Sequence, residues 1–316
     1  MIYILSCETI ERGGGIYAFD YTESDGFKKQ GYLLCDRPMY AVKCEQGLCV
    51  LLRQPFDNSD ESGYFYIDES LQNPTQIKST KGKCACHLCL GNNDVYIVNY
   101  LSGNIVKNGE TVVQRTGRST NLIRQTYPHP HFIEQTLDGY LSVCDLGTDT
   151  LATYDKDLHV IGESKVPSGY GIRHLVFSKD GKYIYAINEI VPSISVFLYN
   201  NGQIIYVHSV KIDCKNEKAN GAAIRLSKDG KYIYISLREE NVICIFAVDG
   251  ENLTLLQTLD CGGDSPRDFD ISDNHLIVCN EKSGNVVSYV LKDGLYHQKH
   301  SNLKIPAPLC CVISPK

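Results

Sequence analysis

The octapeptide SKDGKYIY occurs twice in this chain, at Ser178–Tyr185 and again at Ser227–Tyr234, 49 residues later. Each copy places an Asp-Gly pair where a tight hairpin turn belongs, and apolar residues then alternate with the period of a half-buried β-strand. An identical hairpin at a fixed distance indicates that one supersecondary unit is repeated along the chain.

Weaker copies of the same plan, an apolar run, a polar turn and a second apolar run, occur along the rest of the sequence. They are KCEQGLCVLLR (Lys43–Arg53), LGNNDVYIVNY (Leu90–Tyr100), QTLDGYLSVCD (Gln135–Asp145) and ISDNHLIVCNE (Ile271–Glu281). The opening IYILSCE looks like the second half of one more copy, and the closing APLCCVIS supplies its first half.

Short strands that repeat every 40–50 residues or so are typical of propeller blades with four strands each. We therefore predict an all-β fold, a single seven-bladed β-propeller over residues 1–316, whose four-stranded antiparallel blades form a ring closed by the two termini in one shared blade. A pair of β-sandwiches does not explain the regular period, and a β-helix has much shorter rungs.

Composition limits the partners and the compartment. The 316 residues carry a net charge of −6, with 31 basic and 37 acidic side chains and no basic block, which argues against a nucleic-acid partner. The chain has no apolar run that would span a bilayer and no opening typical of a secretory signal. We expect a cytoplasmic monomer or weak dimer without a membrane partner, whose 14 cysteines stay reduced.

The repeat register predicts a ring of side chains around the central channel, because the first strand of every propeller blade lines it. Counting five residues back from the turn of each copy (Asn92 in the third blade) gives Arg173, Ala222, Arg267, His131 and His87. Looser counts in the remaining blades point near Tyr40 and Leu309. A purely structural ring would carry small or apolar groups, whereas four of these positions are His or Arg.

A second ring is expected at the end of the following strand of each blade. Its members are Tyr100, Glu189, Arg238 and Glu281, with Leu146 in the fourth blade. Arginine forks bind carboxylate or phosphate in a bidentate manner, and histidine and glutamate transfer protons near neutral pH. The rings thus predict a site for an anionic ligand at one mouth of the channel; the alternative is that these residues only form inter-blade ion pairs and satisfy backbone groups.

Four stretches in combination resemble the lactonase-type seven-bladed propellers, which include bacterial 6-phosphogluconolactonases and fungal carboxymuconate cyclases. They are HPHFIEQTLDGYLSVCDLGTDTLATYD, GYGIRHLVFSKDGKYIYAINE, AAIRLSKDGKYIYISLRE and SPRDFDISDNHLIVCNEKSG. The likeness runs nearly end to end and is strongest between Tyr127 and Gly284. Two positions depart from the family pattern: Ile172 replaces a proline, and Glu281 replaces a common glutamine whose exchange would weaken a phosphate site.

The resemblance implies a catalytic set and a substrate-binding set in this chain. The catalytic residues are His131, Glu189, Arg173 and Arg238. The substrate-binding residues are Arg267 and His174, to which the register adds His87.

The implied reaction is hydrolysis of 6-phosphoglucono-δ-lactone to 6-phosphogluconate, a step of the pentose phosphate pathway, without a metal or cofactor. Arg173 or Arg238 would hold the phosphate and polarise the lactone carbonyl, and either His131 or Glu189 would act as the base. The alternatives are a muconate-type cycloisomerase and a non-enzymatic propeller that binds a peptide on its top face.

The segment KCACHLC, residues 83–89, places three cysteines around His87 and raises the possibility of a metal cluster. Its C-x-C-x-x-C spacing is not that of a zinc site, and alternate residues of a strand point to opposite faces. We therefore expect no metal there.

Overall fold

Seven four-stranded antiparallel sheets make up the computed structural model of this chain, which describes residues 1–91 and 93–314. The seven-bladed propeller predicted from the repeat is confirmed. Asn92, from which the register of the third blade was counted, and Pro315 and Lys316 at the end of the predicted domain lie outside the described residues.

The strands are numbered in chain order. Blade 1 contains β1 (Ile2–Ser6), β2 (Gly15–Thr22) and β3 (Gly26–Leu34), and blade 2 contains β4 (Pro38–Cys44), β5 (Gly47–Leu52), β6 (Glu61–Ile67) and β7 (Lys78–Lys83). Blade 3 contains β8 (Ala85–Gly91), β9 (Asp94–Asn99), β10 (Asn104–Lys107) and β11 (Thr111–Gln114), and blade 4 contains β12 (Pro130–Gln135), β13 (Leu141–Asp145), β14 (Thr150–Tyr154) and β15 (Val160–Lys165). Blade 5 contains β16 (Ile172–Phe177), β17 (Tyr183–Asn188), β18 (Ser193–Asn200) and β19 (Gln203–Lys211), and blade 6 contains β20 (Asn220–Leu226), β21 (Tyr232–Arg238), β22 (Val242–Asp249) and β23 (Asn252–Asp260). Blade 7 contains β24 (Pro266–Ile271), β25 (His275–Asn280), β26 (Asn285–Lys292) and β27 (Leu295–Lys304), and β28 (Pro308–Ile313) completes blade 1.

The two ends of the chain meet in blade 1, as the split repeat predicts. Strand β28 pairs antiparallel with β1, from Ile2 opposite Ile313 to Leu5 opposite Cys310. This pairing makes β28 the inner strand of blade 1 and closes the ring, which removes the open sheet edges that a linear array would expose.

The repeated octapeptide forms the same turn in blades 5 and 6. In blade 5 the Ser178 hydroxyl donates to Asp180 at 2.7 Å and accepts the amide of Tyr183 at 2.9 Å, and Gly181 takes a left-handed φ of 71°. The final tyrosine of the motif then reaches the next blade, because Tyr185 Oη donates to the carbonyl of Gly250 at 2.6 Å. The motif therefore specifies both a hairpin and the contact between neighbouring blades.

The core is divided among the seven interfaces between blades, each of which buries one apolar cluster. The short 3₁₀ helix Ile10–Arg12 lies between β1 and β2. In the described part of the chain, no helix has the length and apolarity needed to cross a membrane.

Candidate active site

The seven inner strands each carry a β-bulge near the end at which they begin, which we call the upper mouth of the channel. The bulged residues are Met39, Cys86, His131, Arg173, Ala222 (with Ala223), Arg267 and Leu309. A bulge interrupts the ladder and re-aims the side chain that it carries. All of these residues except Ala222 and Ala223 line the space at the upper mouth.

The residue that follows the second strand, or ends it in blade 6, forms the second ring at the same mouth. This ring is made of Cys7, Arg53, Tyr100, Leu146, Glu189, Arg238 and Glu281. All but Leu146 line a cavity of about 440 Å³, which we call the upper cavity. Leu146 is fully buried and its amide donates to the carbonyl of His129, so the predicted place of Leu146 in the ring does not bring it to the cavity.

Glu189 is the electrostatic centre of the upper cavity, and its side chain is only 5 % exposed. Arg173 Nε donates to Glu189 Oε2 at 2.9 Å, and Arg238 Nη2 lies 3.1 Å from the same oxygen. Arg124, from the segment between β11 and β12, pairs with Oε1. We call Glu189 and these three arginines the carboxylate clamp.

The clamp fixes the charge of its members. Burial by itself raises the pKa of Glu189, but the guanidinium groups of Arg238 and Arg173 outweigh it and hold this pKa well below its usual range. Burial and the neighbouring Arg267 lower the pKa of Arg173 to about 9, which leaves its guanidinium charged at neutral pH. The clamp is therefore fully ionised, and Glu189 is a poor proton acceptor.

His131 lies beside the clamp with different properties. Burial and the charge of Arg173 lower its pKa well below the usual range, so the imidazole is neutral at pH 7. Its Nδ1 is buried and has no hydrogen-bond partner among the described residues. Because Nδ1 is buried, Nε2 is the nitrogen left for proton transfer, and a neutral histidine that lines the cavity fits the role of a base toward a bound water molecule.

A narrow space of about 20 Å³ below the upper cavity, which we call the throat, is lined by Arg173 and His174 among others. His174 Nε2 lies 3.1 Å from Arg173 Nη1, and since arginine only donates, the ring accepts at Nε2 and carries its proton on Nδ1. The ring centroid of His174 lies 5.1 Å from that of His131, so the two imidazoles are neighbours.

His87 does not reach the upper cavity or the throat lining, and its predicted place in the first ring is wrong. The bulged residue of β8 is Cys86, and His87 is fully buried one layer deeper. Its ring lies 4.1 Å from Tyr40 and 4.0 Å from Phe132, centroid to centroid. A similar shift applies in β4, where Met39 rather than Tyr40 is bulged.

Asp149 positions two segments that carry the clamp, and it is 2 % exposed. Its Oδ1 accepts from the amide of Gly171 at 2.6 Å, two residues before Arg173. The same oxygen accepts from the side chain of Gln125 at 2.8 Å, directly after Arg124. One carboxylate thus anchors two loops from different blades.

Register counting missed two arginines of the upper cavity. Arg53 follows β5 just as Glu189 follows β17. Applying the register of the second ring to blade 2 would therefore have identified it. Arg124 belongs to the connection between blades 3 and 4, where no repeat register applies.

The lower mouth holds another cavity, of about 420 Å³, with Glu134, Arg225 and Asp270 in its lining. Arg225 donates to Asp268 at 2.9 Å, and the second oxygen of Asp268 accepts the amide of Cys311 in β28. At this mouth, therefore, an arginine does form an ion pair between blades, which is the purely structural role that was the alternative for the predicted rings. A larger groove of about 580 Å³ lies between blades 6 and 7.

The three cysteines of residues 83–89 do not form one cluster. Cys84 and Cys86 line the upper cavity, whereas Cys89 packs in the apolar cluster between blades 3 and 4. Among residues 1–91 and 93–314, no group of three or more His, Cys, Asp or Glu side chains is arranged to hold a metal ion.

Comparison with known proteins identifies relatives along the whole chain. The family model described as lactonase, 7-bladed β-propeller, matches residues 2–313. Uncharacterized proteins from Staphylococcus aureus strains MSSA476 and N315 are each 29% identical over 317 residues, which cover 90% of this chain and 90% of each relative.

Solved structures with the same architecture include a candidate 6-phosphogluconolactonase from Bacteroides fragilis, with 26% identity, a TM-score of 0.87 and coverage of 98% of this chain and 97% of that one. A protein from Lactobacillus plantarum has 26% identity and a TM-score of 0.88, covering 98% of both chains. The periplasmic gluconolactonase of Pseudomonas aeruginosa has 21% identity and a TM-score of 0.87 over 99% of both chains, a likeness in fold.

Proposed function

Because this chain belongs to the lactonase family of seven-bladed β-propellers, we propose that it hydrolyses 6-phosphoglucono-δ-lactone to 6-phosphogluconate. The observation that carries the proposal is a neutral His131 that lines both the upper cavity and the throat beside the carboxylate clamp. The likeness to the B. fragilis protein, itself a candidate 6-phosphogluconolactonase, supports the choice of a phosphorylated lactone.

In the proposed reaction His131 is the general base. It takes a proton from water while the oxygen of that water attacks the lactone carbonyl carbon. The ring C–O bond then breaks, and the departing alkoxide takes the proton back from the imidazolium. The products are the alcohol of the open chain and a carboxylic acid, which releases its proton to solvent to become the carboxylate, and the step needs no co-reactant besides water.

Glu189 acts as a positioning residue in this mechanism. Its ionised carboxylate holds the guanidinium groups of Arg173 and Arg238 in fixed positions, where their positive charge would stabilise the oxyanion that develops on the carbonyl. Such preorganised groups need no reorientation during the reaction. We therefore propose His131 rather than Glu189 as the base, because a carboxylate with a depressed pKa abstracts a proton poorly.

The working compartment that we propose is the cytosol. All 14 cysteines are free thiols in the structure, which suits a reducing environment.

A pH-stat assay with freshly generated lactone tests the proposal, with spontaneous hydrolysis subtracted. The wild type should accelerate opening, and His131→Gln should abolish most of this acceleration while retaining the β-sheet circular dichroism. His159→Gln is the matched control, because His159 is an exposed histidine paired only with Asp155.

Two outcomes would contradict the proposal. Turnover of a carboxylated muconate but of no lactone would assign cycloisomerisation to the same arginines. Full activity in both His131→Ala and Glu189→Gln would show that the reaction does not take place at the upper mouth.

A further inference from the structure

The arginines of the upper cavity and the throat fall into two groups by their partners. Arg124, Arg173 and Arg238 all bind Glu189 in the clamp. Arg53 is exposed and has no side-chain hydrogen bond or ion pair within the described residues, and Arg267 comes no closer than 3.9 Å to a carboxylate oxygen, that of Glu281. Two guanidinium groups thus face the cavity with their donors open.

Each clamp arginine is committed to Glu189 through one of its nitrogens, although Nε of Arg238 is buried without a hydrogen-bond partner among the described residues. Besides Glu189, Arg173 donates through Nη1 to the carbonyl of Ala222, and Arg238 Nη2 donates to the carbonyl of Gly221 at 3.2 Å. A phosphate bound to them would have to compete with a buried carboxylate of the same charge. The predicted assignment of the phosphate to Arg173 or Arg238 is therefore less favourable than one to open guanidinium groups.

The two open arginines border the same side of the cavity. Arg53 follows β5, and Arg267 is the bulged residue of β24. The charges of both act on the pKa of the Cys7 thiol, which directly follows β1. Burial raises the pKa of Cys7 to about 11, and the positive charges of Arg53 and Arg267 each offset part of that rise. The same two charges act on Cys84, which also lines the cavity.

The remaining cation of the cavity is already engaged, because Lys282 pairs with Glu239. Cys7, Met39 and Leu309 line the same cavity, and their protonated thiol, thioether and aliphatic side chains compete poorly for a guanidinium. An anion that enters here meets two guanidinium groups whose nearest carboxylate in the described part of the chain, that of Glu281, is 3.9 Å from Arg267.

We propose that Arg53 and Arg267 form the subsite for the anionic substituent of the substrate, with the reacting ring between this pair and His131. The inference rests on the proposed function and names where the phosphate of the lactone binds. Guanidinium forks match phosphate oxygens in a bidentate geometry, and two of them neutralise its charge of nearly two.

Glu281 moderates this subsite. Its carboxylate lies 3.9 Å from Arg267 Nη1 and is 34 % exposed, so it repels an incoming phosphate and competes for the guanidinium. Replacing it with the isosteric amide removes the charge and keeps the shape. Glu281→Gln should therefore bind phosphorylated ligands more tightly than the wild type does.

The test compares two substrates and one ligand across four variants. The substrates are 6-phosphogluconolactone and unphosphorylated glucono-δ-lactone, and the ligand is 6-phosphogluconate, measured by calorimetry. The variants are Arg53→Gln, Arg267→Gln, Glu281→Gln and the control Arg118→Gln, which changes an exposed arginine outside the cavity lining.

We expect Arg53→Gln and Arg267→Gln each to raise KM for the phosphorylated lactone and Kd for 6-phosphogluconate by roughly 10- to 100-fold, the effect of losing a charged hydrogen bond. Values for the unphosphorylated lactone should stay within about twofold, while Glu281→Gln lowers Kd and Arg118→Gln changes nothing.

Equal losses for both lactones, or unchanged 6-phosphogluconate binding in Arg53→Gln, would overturn the subsite. If the wild type opens neither lactone, the proposed function fails; loss of 6-phosphogluconate binding in Arg53→Gln and Arg267→Gln would then still support the subsite by itself.

Discussion

Lowering the pH from 7.5 to 5.5 should destabilise this protein through three buried histidines of the channel, His87, His131 and His174. Burial lowers the pKa of each well below the ordinary 6.5, and the nearby charge of Arg173 lowers all three further. Below pH 6.5 the unfolded chain binds protons that the folded chain excludes, so the free energy of unfolding falls as the pH falls. Between pH 7.5 and 5.5 each histidine contributes roughly 1–2 kcal/mol of destabilisation, about 4 kcal/mol for the three.

Two partly buried carboxyl groups of the lower mouth, Glu134 and Asp270, act in the opposite direction, because burial raises the pKa of each. Burial raises the pKa of Glu134 at the lower mouth to about 7, against an ordinary value of 4.5. Between these values the folded state binds more protons than the unfolded state, so stability rises as the pH falls. Between pH 7.5 and 5.5, protonation of Glu134 offsets about 2 kcal/mol of the destabilisation caused by the histidines. The free energy of unfolding then falls by about 2 kcal/mol.

Urea unfolding at 25 °C measures this balance, followed by tyrosine fluorescence because the chain has 21 Tyr and no Trp. Recovery of the signal on dilution establishes that the unfolding is reversible. The free energy of unfolding of Glu134→Gln should fall by about 4 kcal/mol between pH 7.5 and 5.5, and adding His174→Gln should reduce this loss by roughly 1–2 kcal/mol. A Glu134→Gln profile that is flat over this range would refute the reasoning, because the histidines would then be protonated in the folded state and His131 would not be a neutral base.

Three further predictions concern the site and the closure of the ring. The acid limb of kcat/KM for lactone opening should lie below pH 6.5 in the wild type, since the pKa of His131 is depressed, and His131→Gln should lower kcat by about 100-fold or more; an acid limb at or above pH 6.5 would contradict this. Glu189→Gln leaves three guanidinium groups without their carboxylate and should lower the free energy of unfolding at pH 7.5 by about 3–5 kcal/mol in urea titrations, whereas an unchanged value would show that the clamp does not stabilise the fold. A chain truncated after residue 307 lacks β28 and exposes the edge of β1, so gel filtration should show aggregates; a monodisperse, folded truncation would argue against ring closure as a source of stability.

The repeat was sufficient to predict the fold because its turn is specified by short-range contacts. Ser178 and Asp180 form the turn with their own neighbours, and Ser227 and Asp229 repeat the same contacts, so equal sequence gives equal structure. The residues of the first ring were located with one further rule, that the inner strand of each blade begins the same number of residues before its turn.

That rule fails where a hairpin is tighter. In blade 3 the ladder continues to Gly91 opposite Asp94, so β8 has seven residues, whereas β16 of blade 5 has six. Counting five residues back therefore lands on His87, one residue past the bulge. The turn residue itself contains no information on how far the ladder extends.

Arg124 illustrates a different limit. Its connection between β11 and β12 has no counterpart in the other blades, and its contact with Glu189 depends on the path of that loop in space. The anchoring of this segment by Asp149 joins residues more than 20 positions apart. Such contacts follow from tertiary structure and leave no periodic signal in the sequence.

The most direct test of the site is a crystal structure of the protein with 6-phosphogluconate, the product of the proposed reaction. We predict the ligand in the upper cavity, its phosphate between Arg53 and Arg267 and its carboxylate oxygens within hydrogen-bond distance of His131. Ligand bound instead in the lower cavity beside Glu134, or outside the channel, would contradict the assignment of the chemistry to this mouth.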